Sequence, residues 1–126
     1  MAKKNILVVE DNHAILDVIT LILESEAFNV AGLNKGADFI NHVQEFKPDV
    51  IIMDIMLPDT DGRVLLKELK ENESTAQIPV LMISARYNAT NYVTNEDVTA
   101  DDFMAKPFNI DELMDKIYAL LKKEAN

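Results

Sequence analysis

Short apolar runs alternate along this chain with longer segments whose apolar residues recur at helical spacing, and this alternation constrains the fold more than any other feature. Ile6 to Val9, Asn29 to Leu33, Asp49 to Met53 and Ile78 to Ile83 read as strands, and a short fifth strand is predicted around Phe103 to Ala105. Between them, Ile15, Val18, Ile19 and Ile22 predict the apolar stripe of a first helix. Phe39, Ile40, Val43 and Phe46 predict that of a second, and Val64, Leu65 and Leu69 that of a third. Alternation asks for a helix between Tyr87 and Thr99, but Asn88, Thr90, Asn91, Thr94 and Asn95 are weak helix formers, so a short or mobile one is expected. A last helix carries Leu113, Ile117, Leu120 and Leu121, with Asn109 and Glu112 spaced as an N-terminal capping signal. Lys47-Pro48-Asp49, Asp61-Gly62 and Lys106-Pro107 fall at the expected boundaries.

Five βα units follow, and strands apolar on both faces imply a parallel sheet with helices on both sides. In such a sheet ligands bind at the carboxyl ends of the strands, beside the point where strand order reverses. The acids of interest stand there: the first strand runs into Glu10 and Asp11, and the third into Asp54. Taken singly, each reads more readily as a helix cap or a solvated charge. Three at one edge repel one another unless a cation joins them, and a set of oxygen ligands suits a hard ion such as Mg²⁺. Lys106 ends the fifth strand, where its ammonium is either a counter-ion to these acids or a surface charge. Ser84 ends the fourth, where its hydroxyl either meets a ligand oxygen or caps a helix. Nucleophilic carboxylate, metal, cation and hydroxyl together suit phosphoryl transfer to Asp54.

Composition excludes several other classes. At 126 residues and 48% hydrophobic content the chain is sized for one domain with a packed core. A formal net charge of −10 argues against a direct nucleic-acid partner, which would gather Lys and Arg on one face. No apolar stretch is suited to a signal peptide or a membrane span, so a cytoplasmic setting is expected. With no cysteine there is neither a disulfide framework nor a thiolate metal site. With only Gly32, Gly36 and Gly62, neither a P-loop nor a dinucleotide fingerprint can be written.

The chain resembles the receiver domain of two-component response regulators through four segments in order. They are Ile6-Leu7-Val8-Val9-Glu10-Asp11-Asn12, Asp54-Ile55-Met56-Leu57-Pro58-Asp59-Thr60-Asp61-Gly62, Ser84-Ala85-Arg86 and Ala100-Asp101-Asp102-Phe103-Met104-Ala105-Lys106-Pro107-Phe108. The resemblance covers essentially the whole chain and implies the flavodoxin-like (βα)5 receiver fold as a single domain, residues 1–126, with no effector domain. It implies that Asp54 accepts a phosphoryl group from a histidine kinase or a histidine phosphotransfer protein. Asp11, Asp54 and the Met56 backbone carbonyl would ligate Mg²⁺, with Glu10 acting through a metal-bound water. Lys106 would pair with Asp54 and then with the phosphoryl oxygens, and the Lys106-Pro107 bond would be cis. Ser84 would shift toward the phosphoryl group and draw Phe103 inward, switching a surface that binds an unidentified downstream protein. Such a domain turns over no external substrate beyond its own phosphotransfer and dephosphorylation. Phe103 stands where relatives commonly have Tyr, and Thr99 where they often have Gly.

Three alternatives compete with this reading. A phosphorylation-independent interaction module would use the acidic rim only structurally, and retention of the Asp54, Ser84 and Lys106 set speaks against it. A haloacid-dehalogenase-type phosphatase would carry a second Asp two residues after the nucleophile, where this chain has Met56. A flavin-binding module would need a hydroxyl-rich loop after the first strand, where Glu10-Asp11-Asn12-His13 stands.

Overall fold

The structure, a computed structural model, describes residues 3–84 and 100–125. Its strands are β1 (Asn5–Val9), β2 (Asn29–Leu33), β3 (Val50–Asp54), β4 (Val80–Ser84) and β5 (Asp102–Ala105). All four strand pairings are parallel, and the sheet order is β2-β1-β3-β4-β5. The helices described are α1 (His13–Ser25), α2 (Phe39–Phe46), α3 (Gly62–Glu71) and α4 (Ile110–Ala125). The helix expected between Tyr87 and Thr99 lies outside the described residues.

Strand pleating sorts the core into two layers. Ile6, Val8, Val50, Ile52, Leu81, Ile83 and Met104 face one side and pack on Ile19 and Leu23 of α1 and Leu113, Ile117 and Leu120 of α4. Leu7, Val9, Ile51, Met53, Val80 and Met82 face the other and pack on Phe39 and Val43 of α2 and Leu65, Leu66 and Leu69 of α3. β3 and β4, inside the sheet, are buried along their whole length, which is why they are apolar without alternation up to their last residues, Asp54 and Ser84.

Two helices turn a different face inward from the one their sequences suggested. Val18 is 52% exposed and Leu23 fully buried in α1; Val64 is 49% exposed and Leu66 buried in α3. The inner line of α3 is Gly62, Leu65, Leu66 and Leu69, an i, i+3, i+4, i+7 set that begins at a glycine and so shows no apolar start in the sequence. Likewise β4 begins at Val80 rather than Ile78. The Ile78 amide is spent on a turn to the Thr75 carbonyl at 3.1 Å, and its carbonyl accepts from Lys70 Nζ at 3.0 Å.

The capping signal before the last helix is realised: Asn109 Oδ1 accepts the Glu112 amide at 2.7 Å. Asn109→Ala leaves that amide to solvent and is expected to lower stability by about 1 kcal/mol. The urea midpoint should fall with no change in the slope of the transition.

Candidate functional site

β1 lies between β2 and β3, so strand order reverses across β1 and β3, and their carboxyl ends border the crevice where such sheets bind ligands. Glu10 follows Val8 by two residues, Asp54 follows Ile52 by two, and Lys106 follows Met104 by two. Val8, Ile52 and Met104 all face the α1 and α4 layer, so the pleat delivers the three charged side chains to one side of the sheet rim. Glu10 is 0% exposed and Asp54 5%, whereas Asp11 is exposed. Ligand oxygens of Glu10, Asp11 and Asp54 all lie within 4.8 Å of one another.

Lys106 holds the buried acids together. Its ammonium donates to Asp54 Oδ2 at 2.8 Å and to both Glu10 oxygens at 3.0 and 2.9 Å. The pairing with Asp54 matches the sequence expectation, while the two-oxygen grip on Glu10 was not foreseen. Burial pushes the Glu10 carboxyl above its ordinary value and the Asp54 charge adds to the rise, against the pull of Lys106. Burial disfavours the Lys106 ammonium, but its bonds to Asp54 and Glu10 prevail and its pKa is raised. A single lysine facing three carboxylates leaves excess negative charge, and the all-oxygen donor set fits a hard divalent cation.

Local backbone fixes the aim of the acids. The Met56 amide donates to Asp54 Oδ1 at 3.1 Å, so both oxygens of Asp54 are held, one by Met56 and one by Lys106. The Asn12 amide donates to Glu10 Oε1 at 3.2 Å, and the Asn12 side chain caps α1 by accepting from the Ile15 amide at 3.1 Å. Beyond Met56 the chain turns back: the Leu57 amide reaches the Thr60 carbonyl at 3.2 Å, Met56 bridges Asp61, and the Gly62 amide meets the Ile55 carbonyl at 2.6 Å. A Cβ on Gly62 would fall inside contact distance of the Asp54 carbonyl oxygen. Gly62 therefore sets how closely α3 approaches the site, a role that the Asp61-Gly62 turn signal indicated only as a boundary.

Ser84 and Phe103 occupy the other layer. Ser84 is fully buried and follows Met82 by two, so alternation groups it with the α2 and α3 side, and its carbonyl accepts the Lys106 amide at 2.7 Å. Phe103 is partly buried against that same layer and stands opposite Met82 in the sheet. The Met56 side chain is 52% exposed at the rim. The Lys106-Pro107 bond is cis.

Comparison with known proteins agrees with this geometry. The family described as response regulator receiver domain matches residues 6–118. The DNA-binding dual master transcriptional regulator RpaA of Synechocystis is 34% identical over 118 residues, covering 94% of this chain and 49% of that protein. A CheY-like response regulator receiver domain protein from Methanospirillum hungatei superposes with a TM-score of 0.88 at 27% identity, covering 98% of each chain. The receiver domain of a sensor histidine kinase from Pseudomonas aeruginosa, with magnesium ion coordinated in its active site cleft, has a TM-score of 0.86 at 26% identity, covering 96% of this chain and 99% of that one. The chain spans about half the length of the curated relatives it matches.

Proposed function

Since the chain belongs to the response regulator receiver family, a family of two-component signalling, we propose that Asp54 is its phosphoacceptor. The observation that carries this reading is a buried Asp54 at the carboxyl end of β3, ion-paired to Lys106 and grouped with Glu10 and Asp11. Asp54 attacks the phosphorus of a phosphohistidine; the new O–P bond forms as the P–N bond breaks, and the imidazole leaves with its electron pair and takes up a proton. Lys106 already bonds one carboxylate oxygen and passes to the phosphoryl oxygens as negative charge accumulates there. Asp11, Asp54 and the Met56 carbonyl would hold Mg²⁺, with Glu10 reaching it through water. When bound, the cation offsets charge on the transferring group.

The donor in this reading is a histidine kinase or a histidine phosphotransfer protein, met in the cytoplasm, and the readout is a changed surface for a downstream protein. Ser84 and Phe103, which share the layer opposite the acids, are proposed to carry the change from the site to that surface. The excess of acid over base along the chain supports a protein partner rather than nucleic acid for this domain itself.

Incubation with Mg²⁺ and acetyl phosphate, followed by intact-mass measurement, tests the reading. One phosphoryl group is expected, located by peptide mapping to Asp54, not formed when the metal is chelated beforehand and absent from Asp54→Asn. Because an acyl phosphate can hydrolyse quickly, binding of beryllofluoride is measured in parallel. A protein that takes up neither, or an Asp54→Asn variant that takes up as much phosphate as the parent, overturns it.

A further inference from the structure

We propose that Arg63 is a positioning residue for the cation site: by locking Asp61, it pre-shapes the hairpin that presents the Met56 carbonyl. The proposal rests on the reading of Met56 as a Mg²⁺ ligand given above. Arg63 grips Asp61 with a fork, Nε to Oδ1 at 2.9 Å and Nη2 to Oδ2 at 2.6 Å, and its amide donates to the same Oδ1 at 2.8 Å. One carboxylate thus takes three donors from a single residue, which leaves Asp61 little rotamer freedom.

Asp61 is the residue bridged to Met56 across the hairpin, in antiparallel sense. The hairpin is closed at its tip by the Leu57 amide on the Thr60 carbonyl and at its base by the Gly62 amide on the Ile55 carbonyl. Asp61 lies on the returning arm between these two bonds, and Met56 on the outgoing arm. The Met56 amide is committed to Asp54 Oδ1 at 3.1 Å, while the Met56 carbonyl shares its peptide unit with the Leu57 amide, so the tilt of the Met56–Leu57 peptide, held across the hairpin by the Thr60 carbonyl, decides where that carbonyl points relative to the acids. An arm that wanders at Asp61 lets that peptide tilt.

Two roles for Arg63 predict opposite signs. Acting only as a positive charge, it would repel Mg²⁺, and its removal would tighten binding. Acting as a lock, its removal weakens binding although the repulsion is gone. Groups that orient a metal ligand from behind are worth about tenfold to a hundredfold in affinity when well enclosed. The Arg63 and Asp61 side chains are 40% and 36% exposed, so we expect an effect at or below the lower limit of that range, roughly threefold to tenfold.

Isothermal titration of Mg²⁺ into the parent protein, Arg63→Met and Arg63→Lys decides the matter. Both variants are expected to bind Mg²⁺ roughly threefold to tenfold more weakly, since lysine keeps the charge but cannot form the two-pronged contact. Tighter binding by Arg63→Met with Arg63→Lys unchanged assigns Arg63 a charge role and overturns the proposal. Equal affinity in all three proteins also overturns it, while leaving the assignment of the site intact. A parent protein that binds no Mg²⁺, or binds it equally well as Asp54→Asn, overturns both the lock and the cation site on which it depends.

Discussion

Lys106→Met is expected to cost about 2–3 kcal/mol of stability at neutral pH, to slow the proposed phosphorylation of Asp54 by about a hundredfold to a thousandfold, and to make the fold more dependent on Mg²⁺. Removing the ammonium leaves Glu10 and Asp54, 0% and 5% exposed, as neighbouring carboxylates without their shared counter-ion. Stranding one partner of a deeply buried pair costs about 3–5 kcal/mol; the lower figure used here reflects the 14% exposure of Lys106 and the escape that protonation offers.

That escape gives the stability loss a definite pH dependence. Glu10 already stands above its ordinary value of 4.5, and Lys106 is what opposes a further rise. Without the lysine, the folded protein holds a proton over a wider range above pH 4.5 than the unfolded chain does. A group that binds more protons folded than unfolded loses stability as pH rises, so the deficit of Lys106→Met should be small near pH 4.5 and grow toward neutrality. Mg²⁺ should raise the melting temperature of Lys106→Met more than that of the parent, because the cation then meets acids that no lysine has neutralised. Urea titrations at several pH values, with and without Mg²⁺, check each part. A deficit that is flat with pH, or that Mg²⁺ does not reduce, would show that the buried acids are not what Lys106 stabilises.

How much of this was legible in the sequence depends on what decides each feature. β3 and β4 were readable because a strand buried on both faces must be apolar throughout. Glu10, Asp11 and Asp54 could be placed at one rim because parallel strands end together, and the structure gathers them within 4.8 Å. The bidentate hold of Lys106 on Glu10 was not readable, since it depends on pleat parity at the far ends of β1 and β5, residues 96 positions apart. The exposed Val18 and Val64 show a second limit: a helix with apolar residues over a wide arc fits several faces, and packing across the sheet selects one. In α3 the selector is Gly62, whose missing side chain is a sequence signal of a turn but carries no apolar count.

Gly62→Ala should therefore destabilise the fold by roughly 2–4 kcal/mol and impair the proposed phosphorylation of Asp54, although alanine is the better helix former. An added Cβ would press on the carbonyl oxygen of Asp54 and lie 3.1 Å from Ile55 Cα and 3.2 Å from the Asp54 carbonyl carbon. All three are backbone atoms of the strand exit, which cannot swing aside as a side chain can. Relief requires α3 to back away, and that strains the 2.6 Å bond from the Gly62 amide to the Ile55 carbonyl and, through it, the Met56 amide on Asp54. The gain in helix propensity, about 1 kcal/mol at most, has the opposite sign and is too small to prevail. Gly32→Ala supplies the control, because the atoms nearest its Cβ would belong to the flexible Leu16 side chain, at 3.1 to 3.6 Å, and a cost under about 1 kcal/mol is expected. Urea midpoints and acetyl phosphate adduct yields for the two variants should separate clearly. If Gly62→Ala were tolerated as well as Gly32→Ala, the close approach of α3 to the end of β3 could not be what holds Asp54 in place.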